Sequence, residues 1–170
     1  DYIEDVKMEK IEVDLSPELK EVKKYLDRIN NDLTNQLKKW NLVKSNVTRK
    51  QLLSLQKSVS KMQSGYKYAI LSVLAELLKL DHAMELLEAQ TLYAFVNYME
   101  KMNDDSKNEK TKAVVRLVNR QDFRNAYELA KKLTVNGVEH PKLDKVKEIV
   151  EKQIREKGEE VRIIVFAQFR

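Results

Sequence analysis

Apolar residues fall along this chain mostly at helical spacing. Leu19, Val22, Leu26, Ile29, Leu33, Leu37 and Trp40 follow one another at steps of three and four, which lines up one narrow stripe on a long helix. Ser16 is placed to N-cap it, with Pro17 at the first helical position. Thr48 and Gln51 have the spacing of a capping box ahead of a second helix that carries Leu52, Leu55, Val59 and Met62 and ends or bends at Gly65. From Tyr66 to Glu88, the residues Ala69, Ile70, Val73, Leu74, Leu77, Leu78, Ala83, Met84 and Leu87 cover more than half a helix circumference. A helix of that kind is central and packed on several sides. Thr91 heads another helix with Leu92, Phe95, Val96 and Met99, and the run from Asn103 to Asn108 reads as a polar loop. Two short helices follow, one with Val114, Val115 and Val118, the other with Phe123, Tyr127, Ala130 and Leu133, and Gly137 suits the C′ position. Pro141 opens a last helix with Leu143, Val146, Ile149, Val150 and Ile154, closed by Gly158.

Two stretches depart from this period. Ile11, Val13 and Leu15 alternate with Glu12 and Asp14, the pattern of a short one-sided strand. Near the other end, Ile163, Ile164, Val165 and Phe166 form an unbroken apolar run, as in a strand buried on both faces of a parallel sheet. Such a sheet needs several strands, and this chain offers one other weak candidate. The pattern therefore suggests a piece cut just after a strand of a second, α/β domain. The alternative is a two-stranded ribbon with the 11–15 segment, which is marginal in isolation. The expected fold class is mainly all-α, a multi-helix bundle with short terminal strands. Residues 1–16 form an N-terminal strand or linker, 17–157 the helical domain, and 158–170 the first strand of the next domain.

Composition sharpens this picture. A chain of 170 residues is long enough to bury a real core. Three glycines and two prolines allow few tight turns, which favours long helices over a many-stranded sheet. The absence of cysteine excludes disulfides and thiolate metal sites and suits a reducing interior. No apolar run approaches the roughly 20 residues needed to span a bilayer, and no signal peptide opens the chain. A cytoplasmic, nucleoid-associated monomer without membrane contact is expected, and the sequon Asn46-Val47-Thr48 should be idle.

Charge is unevenly placed. Residues 1–19 hold seven acids and two lysines, a net of −5, whereas residues 20–67 hold twelve bases and three acids, a net of +9. No Asp or Glu occurs from Leu33 through Ala75, a stretch that contains Lys38, Lys39, Lys44, Arg49, Lys50, Lys57, Lys61 and Lys67. A solvated helical face usually mixes both signs, because ion pairs one turn apart stabilise it. An unbalanced basic zone is the footprint expected for a polyanion, and these eight residues are the candidate nucleic-acid contacts. The plainer reading is a lysine-rich solvated surface. Trp40, Tyr66 and Tyr68 bracket the zone and could stack on bases, but Trp40 fits the apolar stripe of its helix and is assigned to the core.

Little in the chain suggests catalysis. A phosphate-cradling loop needs clustered glycines ending in Gly-Lys-Ser/Thr. Gly65, Gly137 and Gly158 stand far apart, and none precedes such a lysine. Glu85 and Glu88 could mimic a carboxylate pair, yet neighbours on one helix face are more often surface acids. His82 and His140 lie far apart without thiolates, so no metal site is expected. His82 reads as a packed histidine and His140 as a residue that sets the turn before Pro141. No catalytic, cofactor or metal residue is assigned. Two classes remain: a nucleic-acid-binding module, and a protein-interaction or spacer module docking a partner through an amphipathic helix.

Several segments together carry a family resemblance. Asp81-His82-Ala83-Met84-Glu85-Leu86-Leu87-Glu88 resembles the HHAIELLE-type segment of the archaeal Hef helicases, and residues 140–149, His-Pro-Lys-Leu-Asp-Lys-Val-Lys-Glu-Ile, resemble HPKMDKLKEI in that family. Residues 162–170 are similar to KIIVFTNYR, the strand opening the second motor domain of superfamily 2 helicases at motif IV. Val13-Asp14-Leu15-Ser16-Pro17-Glu18 is similar to the VDLPE that follows the first motor domain. The order matches end to end, while residues 33–67 and 103–125 match poorly. The resemblance implies the helical, thumb-like insert between two RecA-like domains that Hef, FANCM and the RIG-I-like receptors share. It implies a part in recognising branched or forked DNA and in coupling the motor domains. It also implies a DNA-repair helicase as parent, using ATP and magnesium that this segment does not itself hold.

Overall fold

The computed structural model describes residues 8–158 and 161–166, and these form seven helices. α1 spans Pro17–Lys39, α2 Arg49–Ser60, α3 Lys67–Ala89, α4 Leu92–Lys107, α5 Lys112–Val118, α6 Gln121–Val135 and α7 Pro141–Lys157. Local chemistry sets most of the boundaries. The hydroxyls of Ser16, Thr48, Thr91 and Thr111 each accept from the backbone N–H three residues on, which satisfies donors that a helix start leaves orphaned. At Thr48 the box is reciprocal, for its own N–H donates to Gln51 Oε1 at 2.8 Å. α1 and α6 end in paired turns that return two N–H groups to the last carbonyls: Leu42 to Leu37 and Asn41 to Lys38, Val138 to Leu133 and Gly137 to Thr134. Each requires a left-handed residue, supplied by Asn41 at φ 55° and Gly137 at φ 71°.

α3 is the hub. α1, α2, α4 and α5 all pack on it, and α6 closes the bundle against α1 and α4. This is the outcome that the broad apolar surface of α3 predicts. The stripe of α1 disappears entirely: Leu19, Val22, Leu26, Ile29, Leu33 and Leu37 are each no more than 1% exposed. Trp40 packs half-buried against the same core, as its place on the stripe implies.

The structure corrects two expectations. Residues 103–107 are not a loop: α4 runs on to Lys107 because Met102 continues its buried stripe and the carbonyl and carboxylate of Asp104 hold the Asn108 amide and the Lys107 ammonium. Neither terminal strand exists among the described residues, for 11–15 and 161–166 have no regular secondary structure. A strand is stabilised by a neighbour's ladder, and nothing in the described chain supplies one. Residues 167–170, the end of the motif IV-like stretch, lie outside the described residues. The last helix, α7, forms where its pattern places it, but among the described residues it buries no side chain and packs on no other helix. Its apolar stripe faces solvent.

Candidate nucleic-acid interface

α2 lies on α3 through Leu52 and Val59, which are buried, and Leu55, which is partly so. At about 100° per residue, Lys50, Lys57 and Lys61 fall within an arc of about 40°, on the side of α2 opposite Leu52, Leu55 and Val59. All three are exposed, and no acid among the described residues pairs with them. The geometry that buries one edge of α2 thus presents a lysine stripe on the other.

Helix electrostatics does not favour positive charge at the start of α2 or α3. A helix N-terminus carries partial positive charge and favours acids by about 0.3–1 kcal/mol. α1, α6 and α7 follow that rule with Glu18, Asp122 and Asp144 in their first turns. α2, α3, α4 and α5 have no acid there, and α2 and α3, which meet at the basic zone, begin with Arg49-Lys50 and Lys67. Two helix starts and the lysines therefore add potential of the same sign.

The remaining sequence candidates divide. Lys38 and Lys39 end α1, where cations suit the negative helix terminus; Lys39 is exposed and Lys38 half-buried. Lys44 is exposed in the loop from Leu42 to Val47, beside an open cleft of about 370 Å³ between that loop and Gln51, Ser54 and Leu55. Lys67 is half-exposed at the start of α3. Arg49 is committed elsewhere, since its guanidinium donates to Asp81 on α3 at 2.9 Å. Tyr66 and Tyr68 are exposed beside Lys67.

Two other polar features hold the bundle rather than a ligand. Glu76 of α3 is 1% exposed. Arg120 reaches it at 3.5 Å and Arg116 at 3.9 Å, while Arg120 also meets Asp32 of α1 at 3.7 Å and Arg116 donates to Ser72 at 3.1 Å. Burial pushes the Glu76 carboxyl above its usual range, against the pull of Arg120 and Arg116. Sequence reading passed over this cluster. Its one local signal is that Glu76 shares a helical face with Val73 and Leu80, which are apolar and buried.

His140 is the second feature. It is 2% exposed and caps α7, its Nδ1 accepting from Lys142 N–H at 3.2 Å while Nε2 donates to the Glu88 carbonyl at 3.1 Å. One nitrogen must accept and the other donate, which makes the ring neutral. Burial, then the Lys142 ammonium, hold its pKa below the ordinary histidine value. Lys142 Nζ donates to the same Glu88 carbonyl at 2.8 Å. His82 packs edge-on against Tyr98, with ring centroids 4.7 Å apart. Glu85 approaches His82 at 3.7 Å and Glu88 pairs with Lys23 at 3.1 Å, so each member of the sequence's carboxylate pair has a structural partner.

Residues 18–137 match the family model described as "Putative ATP-dependent RNA helicase, helical bundle", and the chain belongs to that family, the helical insert of superfamily 2 helicases. It is 37% identical over 171 residues to the "Putative ATP-dependent RNA helicase MJ1505" of Methanocaldococcus jannaschii, spanning 99% of this chain but 21% of that protein. Its fold is similar to the Hef helicase domain of Pyrococcus furiosus, with a TM-score of 0.82 and 30% identity over 92% of this chain and 34% of that one. The chain thus spans about a fifth and a third of these relatives' lengths. No helix among the described residues is long and apolar enough to cross a membrane.

Proposed function

We propose that this bundle is a nucleic-acid-binding insert that grips forked DNA by its phosphate backbone and couples the two motor domains of its helicase, without itself hydrolysing ATP. The observation that carries the reading is the Lys50, Lys57 and Lys61 stripe, with no acid partner among the described residues, on a helix whose first turn is basic where stability favours acid. Lys38, Lys39, Lys44 and Lys67 extend it as further phosphate contacts, with Arg49 the weakest member because Asp81 already holds it. Lysines without a fixed fork geometry act as point charges, so the grip has little sequence preference. ATP and magnesium belong to the parent's motor domains; the three glycines of this chain form no phosphate cradle.

The test is anisotropy titration of the 170-residue chain against forked, duplex and single-stranded oligonucleotides of DNA and RNA. Micromolar or weaker binding is expected, with log affinity falling against log salt at a slope of about −5 if about six phosphates are neutralised. Reversing Lys50, Lys57 and Lys61 to Glu should abolish it, whereas reversing Lys142, Lys145 and Lys147 should matter less, because Glu148, Glu139 and Asp144 pair with that helix. If the first triple variant binds forks as well as the parent, the stripe is a solvated surface only. Tighter binding to forked RNA than to forked DNA would move the reading toward the substrate in the M. jannaschii relative's name.

A second reading has its own observation. The stripe of Leu143, Val146, Ile149 and Ile154 on α7 is 36–45% exposed, as a helix that docks a partner or spaces the motor domains would leave it. Salt-insensitive association through α7 would favour it.

A further inference from the structure

We infer that Tyr66 and Tyr68 are a stacking site for unpaired bases, so that the α2–α3 corner holds a single-stranded arm while the lysine stripe holds phosphates. This rests on the nucleic-acid-binding reading above and adds the class of substrate to it.

The described tyrosines fall into two groups. Tyr25, Tyr98 and Tyr127 pack partly buried against the core. Tyr25 lies under the Arg28 guanidinium and Tyr127 under the Lys131 ammonium, and the Tyr98 hydroxyl donates to the Lys79 carbonyl. Tyr66 and Tyr68 are 72% and 78% exposed, and among the described residues neither hydroxyl has a hydrogen-bond partner. Neither ring is spent on packing or on the network. Leaving two large rings in water forgoes burial that would stabilise a fold, which makes such rings informative. The third exposed tyrosine, Tyr93, lies at the far end of α3, beside the α7 cap, and serves as a control.

Their setting is basic and fixed. Lys61 ends α2, a short turn through Gly65 follows, and Lys67 sits between the two tyrosines. The turn is held by Ser64, whose hydroxyl accepts from Tyr66 N–H at 3.3 Å and whose carbonyl accepts from Lys67 N–H at 3.1 Å. Residues two apart at a helix start point to nearly opposite sides. The rings therefore do not form one clamp; each offers its own face, with a lysine between them for the intervening phosphate. Base–aromatic stacking tolerates any base but needs one whose face is free. A duplex interior offers none, so the corner discriminates for strand separation rather than for sequence.

The experiment compares the parent chain with Tyr66→Ala, Tyr68→Ala, the double variant, Tyr66→Phe/Tyr68→Phe and Tyr93→Ala. Probes are labelled oligo-dT and oligo-U strands, a blunt duplex and a fork with non-complementary arms. Each alanine should weaken binding to single strands and the fork by roughly tenfold and leave duplex binding within about twofold of the parent. Phenylalanine should restore binding, since stacking needs the ring and not the hydroxyl. The salt slope should not change, because no phosphate contact is lost, whereas the Lys50, Lys57 and Lys61 reversal lowers it. Circular dichroism should show every variant folded, as both rings are exposed. If the double variant binds single strands like the parent, loses duplex equally, or is matched by Tyr93→Ala, the inference is wrong while the phosphate reading stands. If neither the parent nor the lysine variants bind any probe, both fall together.

Discussion

α1 and α7 start alike and end differently. Each opens on a capping residue followed by proline, Ser16-Pro17 and His140-Pro141, and each carries one apolar stripe at helical spacing. α1 buries its stripe between α3 and α6. α7, at 17 residues against 23, buries nothing and touches the bundle mainly at its cap. The lesson is that amphipathic spacing states that a helix has a face to cover; it does not state that the cover is in the same chain. α7 holds itself together by its cap and by ion pairs within the helix or just before it, Lys145 with Glu148 at 2.9 Å, Lys152 with Glu156 at 3.8 Å and Lys147 with Asp144 and Glu139. Pairs of this kind each contribute only tenths of a kcal/mol. A helix of this length is marginal without tertiary packing.

This contrast can be broken at several strengths. The largest effect is expected in α1: Leu26→Ala should cost about 3–5 kcal/mol of unfolding free energy in denaturant titration, and a loss below about 1 kcal/mol would contradict the placing of the α1 stripe in the core. Next is the latch that ties α3 to α1 and the start of α6. Arg120→Ala strips the nearest cation from buried Glu76 and should cost about 3 kcal/mol at neutral pH. Glu76 has a folded pKa raised above the ordinary carboxylate value of 4.5, so its favourable contribution is present below that value and is lost as pH rises through the folded one. The cost of Arg120→Ala should therefore shrink below about pH 4.5, where the carboxyl is neutral and needs no partner; a cost unchanged with pH would contradict this.

A smaller effect belongs to the α7 cap. His140→Ala should cost about 1 kcal/mol, seen as faster amide exchange in α7 with little change in α1 or α3. Acid should imitate it. The folded pKa of His140 lies below 6.5, so the cap's contribution is present above pH 6.5 and fades as pH falls from there through the folded value. Exchange in α7 that is flat between pH 7 and 5, after correction for intrinsic rates, would remove His140 from this role. The smallest effect is Ile149→Ser on the open stripe, within about 0.5 kcal/mol. A loss comparable to that at Leu26 would show that α7 packs on the bundle in solution.

The candidate site was partly legible. The acid-free zone can be counted from the sequence, and helical period alone puts Lys50, Lys57 and Lys61 on one side of α2 and Leu52, Leu55 and Val59 on the other. The pairing of Arg49 with Asp81 was not legible, because the two lie on different helices and only the packing of α2 on α3 brings them to 2.9 Å. Glu76 was hidden for the same reason: its partners Arg116 and Arg120 are some forty residues on, next to it only once α5 packs on α3. The extension of α4 through Asn103–Lys107 was missed because polar residues cluster there, while Met102 and the Asp104 contacts keep the turn helical.

What the sequence determined by itself is local: where helices begin and end, through the Ser16, Thr48, Thr91 and His140 caps and the left-handed Gly137, and which face of each helix is apolar. These depend on neighbours within a turn or two. Tertiary structure alone decided whether each face found a cover, which charges became ion pairs and which stayed free, and whether apolar runs at 11–15 and 161–166 became strands. Those outcomes depend on what packs opposite. The same kind of stripe is core in α1 and surface in α7, and the β-branched run at 161–166 is no strand where the described residues supply no neighbouring one.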